Sequence, residues 1–275
     1  MRLSDTAAVP LPSLRLELGV VLLVSWLAFA SIPLALGGIG LSWDALNHHV
    51  YLGWIASQPR FDRDFLAASY QSFQYPYLYW PFFALYQSGM SGQWAGAVLA
   101  SFNVLAVPAV WLLARVNVPE QSWYGTAMRS FAVALAFLTG VVLSLFDTSA
   151  NDLLAAIPLV WAVALAFEPW DRHRPEWLTV RRLVMLSGFL VGASIAFKLS
   201  NGPLAVLIPV LWGIHGRSWR ERLLNVAVGC LATLAGLLVC YGHWGWEMWL
   251  HYGNPVYPFY DNWFGPVRSA LGHHP

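Results

Sequence analysis

Apolar runs long enough to cross a bilayer return along the whole length of this chain, and that recurrence limits its fold more than any other feature. A hydrocarbon core is about 30 Å thick, and a helix needs roughly 17–25 apolar residues to traverse it. Read against charged and turn-forming punctuation, the runs predict seven spans near residues 18–41, 92–114, 130–146, 152–168, 183–197, 202–214 and 223–241. Two of these are short, and they either extend into their loops or pack as a bent pair. Pro108, Pro158 and Pro209 fall inside predicted helices, where neighbouring helices compensate a lost backbone bond. Composition agrees with this reading. Charged residues make up 11% of the chain and hydrophobic ones 58%, with a mean hydropathy of +0.54. A water-soluble domain carries about 25% charged residues, so most of this surface faces something other than water. The expected fold class is all-α, a polytopic transmembrane helical bundle forming one domain over residues 1–275.

Several alternatives are excluded at this level. A net charge of +1, without a basic stripe interleaved with aromatics, gives no sign of a nucleic-acid partner. Cys230 and Cys240 are the only cysteines and share one predicted helix. They supply neither a disulfide framework nor a zinc spacing, and are expected to be small buried thiols. Ala28-Phe29-Ala30 resembles a signal-peptidase site. The apolar run continues beyond it to span length, however, whereas signal cores are about 7–15 residues. An uncleaved first helix is the expectation.

Orientation follows from the basic residues. Arg2, Arg15, Arg115, Arg129, Arg172, Arg174, Arg181, Arg182, Arg217, Arg220 and Arg222 fall on the N-terminal side of the predicted topology. Arg60, Arg63, Lys198 and Arg268 fall on the other. The bias puts residues 1–17 in the cytoplasm of a bacterial inner (plasma) membrane protein. Residues 42–91 then form a first periplasmic loop with interfacial helices, and residues 242–275 an aromatic-rich periplasmic tail. Acids lack the bias: Asp44, Asp62, Asp64, Asp147, Asp152, Glu247 and Asp261 all lie outside. Ionisable groups beside a membrane are functional candidates by default.

The first outer loop opens with "SWDALNHHVYLGW", residues 42–54. Its helical spacing places Asp44 and His48 on one face, four residues apart, and turns His49 about 100° away. Three roles are open to Asp44. It is a helix N-cap, a general base awaiting a hydroxyl, or a metal ligand with His48, for which adjacent histidines are a poor chelate.

From Asp44 onward the order of segments resembles the GT-C membrane glycosyltransferases. These enzymes use polyprenyl-phosphate sugars and include mannosyl- and aminoarabinosyl-transferases. The first helix ends in an acid. Then come "RFDRDFLAASYQSFQYPYLYWPFFALY", with its Tyr75-Pro76 segment, and "SGQWAGAVLASFNVLAVPAVWLLAR". Later, "DTSANDLLAAIPLVWAVALAF" is similar to the family's second outer loop, and "LSGFLVGASIAFKLSNGPLAVLIPVL" to its Gly-rich fifth helix closing on a lysine. "GNPVYPFYDNWF" is similar to a motif of uncharacterised relatives. The chain carries Asp44-Ala45 where many relatives have two consecutive acids, and Tyr75-Pro76-Tyr77 where many have two prolines.

The resemblance implies transfer of a sugar from a polyprenyl phosphate to an acceptor hydroxyl on the periplasmic side, with inversion. Asp44 is then the expected base, and Lys198, the only lysine in the chain, the expected phosphate contact. Arg60 and Arg63 are alternative phosphate contacts. Asp152 is expected to orient the sugar, pair with Lys198 or cap a helix. His48 is expected to bind phosphate or acceptor, and Tyr75 to line a sugar or prenyl groove. Some relatives use a divalent ion, but no complete ligand set is visible, so no cofactor is assigned. Most relatives continue past the seventh helix, so the chain is expected to be a truncated or minimal form, or to meet a membrane partner that supplies the rest. Two rival readings stay open. One is a non-catalytic subunit of a membrane assembly built on the same scaffold. The other is a transporter or flippase of lipid-linked or small polar solutes, against which stand the lack of an internal repeat and the placing of ionisable residues at the outer end rather than mid-bilayer.

Overall fold

The computed structural model describes residues 11–64 and 66–272. Arg2, most of the predicted cytoplasmic segment and the last three residues of the predicted tail lie outside the described residues. Helix α1 (Leu14–Leu36) starts where Ser13 Oγ accepts the Leu16 N–H, and it stops at Gly37, whose φ of 92° reverses the chain. A π turn at Ala45–His49 runs into α2 (Val50–Ile55), followed by a four-residue extended segment, Ala67–Tyr70, and α3 (Trp80–Gln87). Next are α4 (Gly92–Ser101) and α5 (Val107–Asn117), joined by a 3-10 turn. They are followed by α6 (Trp123–Phe137), the single turn α7 (Gly140–Leu143), α8 (Asp152–Phe167) and α9 (Val180–Phe197). The short α10 (Gly202–Ala205) and α11 (Ile208–Gly213) form a broken pair before α12 (Trp219–Tyr252) and α13 (Asp261–Ala270). Apart from the extended segment, every regular element among the described residues is a helix.

The predicted spans fall mostly on helix, although 18–41 runs five residues past the end of α1 and 130–146 takes in the break between α6 and α7. Among the described residues, five stretches are long and apolar enough to cross a membrane: Leu14–Leu36, Gly92–Asn117, Asp152–Trp170, Val180–Phe197 and Trp219–Tyr252. The other two predicted spans are shorter, with 15 residues in α6 and a broken apolar stretch over Leu199–Gly213. Proline explains part of the breakage. Pro108 and Pro209 sit in the first turns of α5 and α11, where a missing N–H costs nothing because that donor is unpaired anyway. Pro158 lies inside α8.

Helices α4 and α5 lie against α1, α8 packs between α5 and α9, and α9 runs along α12 with α11 alongside. The α9–α12 seam is glycine-built. A Cβ on Gly192 would lie 2.0 Å from the Thr233 carbonyl oxygen, and one on Gly236 2.1 Å from that of Phe189. Backbones touch here, as small-xxx-small faces allow in membranes. Cys230 is exposed and Cys240 half-buried, which corrects the expectation of buried thiols. Gly229, next to Cys230, occupies the packed face against Trp212, and that turns Cys230 outward.

At the N-terminal end of α1 the bundle is pinned by a buried polar cluster. Glu17 and Arg129 side chains, each 1% exposed, pair at 2.6 Å. Trp111 Nε1–H and the Thr126 hydroxyl also donate to Glu17, at 2.7 and 2.8 Å. This ties α1, α5 and α6 together. Nearby, Arg115 pairs with Glu168 and Asp171. These arginines, counted for orientation in the sequence, also hold helices together.

Helix α12 has 34 residues and, at about 1.5 Å per residue, is roughly 51 Å long. The sequence placed its end at residue 241 and a tail from 242. The helix instead continues to Tyr252 and ends at Gly253, φ 61°. The extension packs on the first loop: Tyr241, Trp244 and Met248 form one core with Leu52, Ile55, Phe73 and Tyr79, and Trp244 Nε1–H donates to the Phe73 carbonyl at 3.1 Å.

Candidate active site

The ionisable residues singled out in the sequence gather at the end of α1 away from Glu17. Ser42, not Asp44, caps the turn that opens the loop, its Oγ accepting the Ala45 N–H at 3.1 Å. Asp44 makes no capping bond. Its carboxylate is 56% exposed and lies 3.7 Å from His48 Nδ1. The π turn draws both His48 and His49 inside, so His49 is not turned away from its neighbour as regular α spacing predicts. Wide turns of this kind occur often at functional sites.

His49 Nδ1 lies 2.7 Å from Ser149 Oγ, and its ring stacks on Tyr79 at 4.7 Å. His48 meets His49 edge-on at 4.4 Å, and its own Nδ1 is buried without a hydrogen-bond partner. Burial first, then the adjacent His48, pushes His49 down to about 4, with the Asp44 and Asp152 charges opposing and Lys198 reinforcing. Burial also lowers His48, against the pull of Asp44. Both imidazoles are therefore neutral at pH 7. The charges of Asp44, Asp152 and Lys198 all act on His49.

Asp152 is the first residue of α8 and Lys198 the residue after α9. The Lys198 ammonium bonds the Asp152 carboxylate at 2.5 Å, with both side chains partly open to solvent. Asp152 thus takes the pairing role rather than the capping one. The turn beyond Lys198 is held by Asn201, whose Nδ2–H donates to Ser194 Oγ at 2.8 Å and to the Ala155 carbonyl at 3.1 Å.

Lys198 also lines a cavity of about 160 Å³. The first loop contributes Phe73, Gln74 and Tyr75 to its walls, α12 contributes Tyr241, and the segment after α12 contributes Val256, Tyr257 and Phe259. The Tyr75 ring lies 5.7 Å from Phe197 and 6.2 Å from Tyr241, both in stacked orientation. Burial pushes the Tyr75 phenol up to about 12, so it acts only as a neutral donor and apolar face.

Of the residues chosen from sequence, Lys198 and Tyr75 therefore share a cavity, Asp152 holds Lys198, and Asp44 with His48 adjoins the same histidine cluster. Arg60 and Arg63 are not brought in. Arg60 pairs with Asp64 at 3.2 Å and lies over the Trp54 ring, while Arg63 pairs with Asp62 at 3.3 Å. Among the described residues no three of His, Cys, Asp or Glu converge to hold a metal ion. Sequence reasoning passed over Ser149 and Asn151. Asn151 lines the cavity and has a buried Oδ1 without a partner. Only its adjacency to Asp152 could have drawn attention to it.

No curated protein and no solved structure matches the chain. The family model described as Glycosyltransferase family 87 matches residues 73–269, which takes in Tyr75, Asp152, Lys198 and every cavity wall. Asp44 and His48 precede the matched stretch. On that match, covering well over half its length, this chain belongs to glycosyltransferase family 87, a GT-C-type family of membrane glycosyltransferases.

Proposed function

We propose that the chain transfers a sugar from a polyprenyl-phosphate donor to an acceptor hydroxyl, with inversion, at the periplasmic face of a bacterial inner membrane. One observation carries this reading: the only lysine of the chain, held by Asp152, stands in the wall of an aromatic-lined cavity at the same end of the bundle as Asp44. The basic-residue bias supports placing that end outside.

In this scheme Lys198 receives the donor phosphate, and Asp152 keeps the ammonium in position until the anion arrives. The acceptor oxygen attacks the anomeric carbon as the bond from that carbon to the phosphate oxygen breaks on the opposite face. The bonding electrons leave with the phosphate, where a fixed cation offsets the growing charge. The acceptor proton passes to Asp44, which is solvent-accessible, makes no capping bond and neighbours a neutral imidazole. His48 lies beside Asp44 with its Nδ1 free to meet the acceptor, and Tyr75 offers an apolar wall to the sugar or the first isoprenes. Arg60 and Arg63, taken up by Asp64 and Asp62, have no step here.

The test separates binding from chemistry. In Asp44→Asn, turnover should fall about 10²–10⁴-fold with donor affinity kept, the usual worth of a positioned base. In Lys198→Ala, affinity for the lipid-phosphate donor should fall. Full turnover in the first variant removes the base assignment, and unchanged affinity in the second removes the phosphate assignment.

A further inference from the structure

The segment after α12 carries "GNPVYPFYDNWF", which the scheme above leaves unused although three of its residues wall the Lys198 cavity. It is a closed loop. Asn254, fully buried, donates from Nδ2 to the Phe259 carbonyl at 3.0 Å and to Asp261 Oδ1 at 3.2 Å, and its Oδ1 accepts the Val256 N–H at 3.0 Å. Arg268 on α13 fastens the loop from outside. Its two terminal nitrogens donate to the two Asp261 oxygens at 2.6 and 2.9 Å, and Nη1 also reaches the Tyr252 carbonyl at the end of α12, at 3.1 Å. Such a fork fixes geometry as well as charge. Gly253 allows the close approach: a Cβ there would lie 2.7 Å from the Arg268 side chain.

Inside the loop Tyr257 is immobilised. Its ring stacks on Tyr252 at 4.4 Å and 9°, and Phe73 meets it edge-on at 4.8 Å. On the other side of the cavity wall, Tyr241 and Val256 are shared with an apolar groove along α12 that also takes in Leu237, Gly242 and Trp246. A hydrocarbon chain fits that groove, and an anionic head fits Lys198. Tyr257 and Phe259 add two aromatic side chains to the lining of the cavity, beside whatever the phosphate carries.

We infer that the Asn254–Asp261 loop is the sugar-reading wall of the site, and that Arg268, acting through Asp261, is the residue that positions it. The inference rests on the lipid-phosphate reading above. Aromatic faces select a pyranose or furanose by its C–H surface, so the loop determines which sugar is accepted, while Lys198 determines that a phosphate is present.

The experiment compares affinities of the full-length protein in lipid nanodiscs for a long-chain polyprenyl phosphate, bare or carrying a neutral hexose, a neutral pentose or an amino sugar. In the wild type at least one sugar should tighten binding roughly three- to tenfold over the bare lipid phosphate, the scale of one or two aromatic contacts. Arg268→Ala and Asp261→Asn should abolish that increment and leave affinity for the bare lipid phosphate unchanged, with Arg268→Lys restoring part of it. Tyr257→Leu, which keeps the Asp261–Arg268 bond, should lose the increment too. Latch variants or Tyr257→Leu that retain the sugar increment overturn the inference, as does a wild type that gains from no sugar. If the bare lipid phosphate binds wild type and Lys198→Ala equally, the failure lies instead in the phosphate reading.

Discussion

His49 is 4% exposed, between Ser149 and the face of Tyr79, and its imidazole stays neutral until pH falls to about 4. In the unfolded chain it would take up a proton near 6.5. Between those values the unfolded state binds more protons than the folded one, so stability rises with pH across the window. The contribution is complete above about 6.5 and is lost on acidification toward 4, on the order of 3 kcal/mol in all. Thermal midpoints of the wild type in detergent should fall between pH 6.5 and 4, and those of His49→Gln should fall less. Equal slopes would mean that the imidazole is not buried neutral. At this scale the sequence was half legible. Asp44, Lys198 and Asp152 stood out as charges flanking apolar runs, and they do gather at one end. The burial of His49 was hidden, because a regular helix turns it away and nothing in "DALNHH" announces a π turn.

Among the elements, α9 and α12 carry the packing on which the cavity depends, since Lys198 follows one and Tyr241 lies on the other. Their seam admits no side chain at Gly192, where a Cβ would overlap the Thr233 carbonyl oxygen. Gly192→Leu must part the helices, and a loss of about 1–3 kcal/mol or more is expected. It should appear as a lower thermal midpoint and weaker donor binding. Gly19→Ala on α1, where a Cβ meets nothing within 4 Å, is the control and should change neither. A wild-type midpoint in Gly192→Leu would remove the seam as a structural determinant. The apolar periods gave the helices, and the glycines of "LSGFLVGAS" hinted at close contact. The overrun of α12 to Tyr252 was missed because "HWGWEMWLHY" breaks the apolar run without breaking the helix. Hydropathy marks where lipid stops, not where hydrogen bonding does. The Glu17–Arg129 pair was equally invisible, its partners lying 112 residues apart.

For the whole molecule, the proposed orientation puts Asp62 and the cavity outside and Glu176 inside. Both side chains are exposed. With Cys230 and Cys240 replaced, a membrane-impermeant thiol reagent applied to intact cells should label Asp62→Cys and spare Glu176→Cys. The reverse pattern inverts the topology and moves the reaction to the other face. The five stretches long enough to span were legible in the sequence, because apolar length is written in composition. The role of the segment after α12 was not legible, since a closed loop latched by Arg268 depends on contacts made only after folding.

The rod-like α12 exceeds a hydrocarbon core of about 30 Å by some 20 Å. Its last turns are clasped to Phe73 through Trp244, and under the proposed orientation they form a stalk bearing the proposed reaction chamber. On that proposal, the height at which a sugar is presented above the lipid is fixed by a count of helical residues. Donors with longer or shorter isoprenoid tails should all offer their heads at that one level, leaving tail length to affect residence in the membrane rather than the transfer itself.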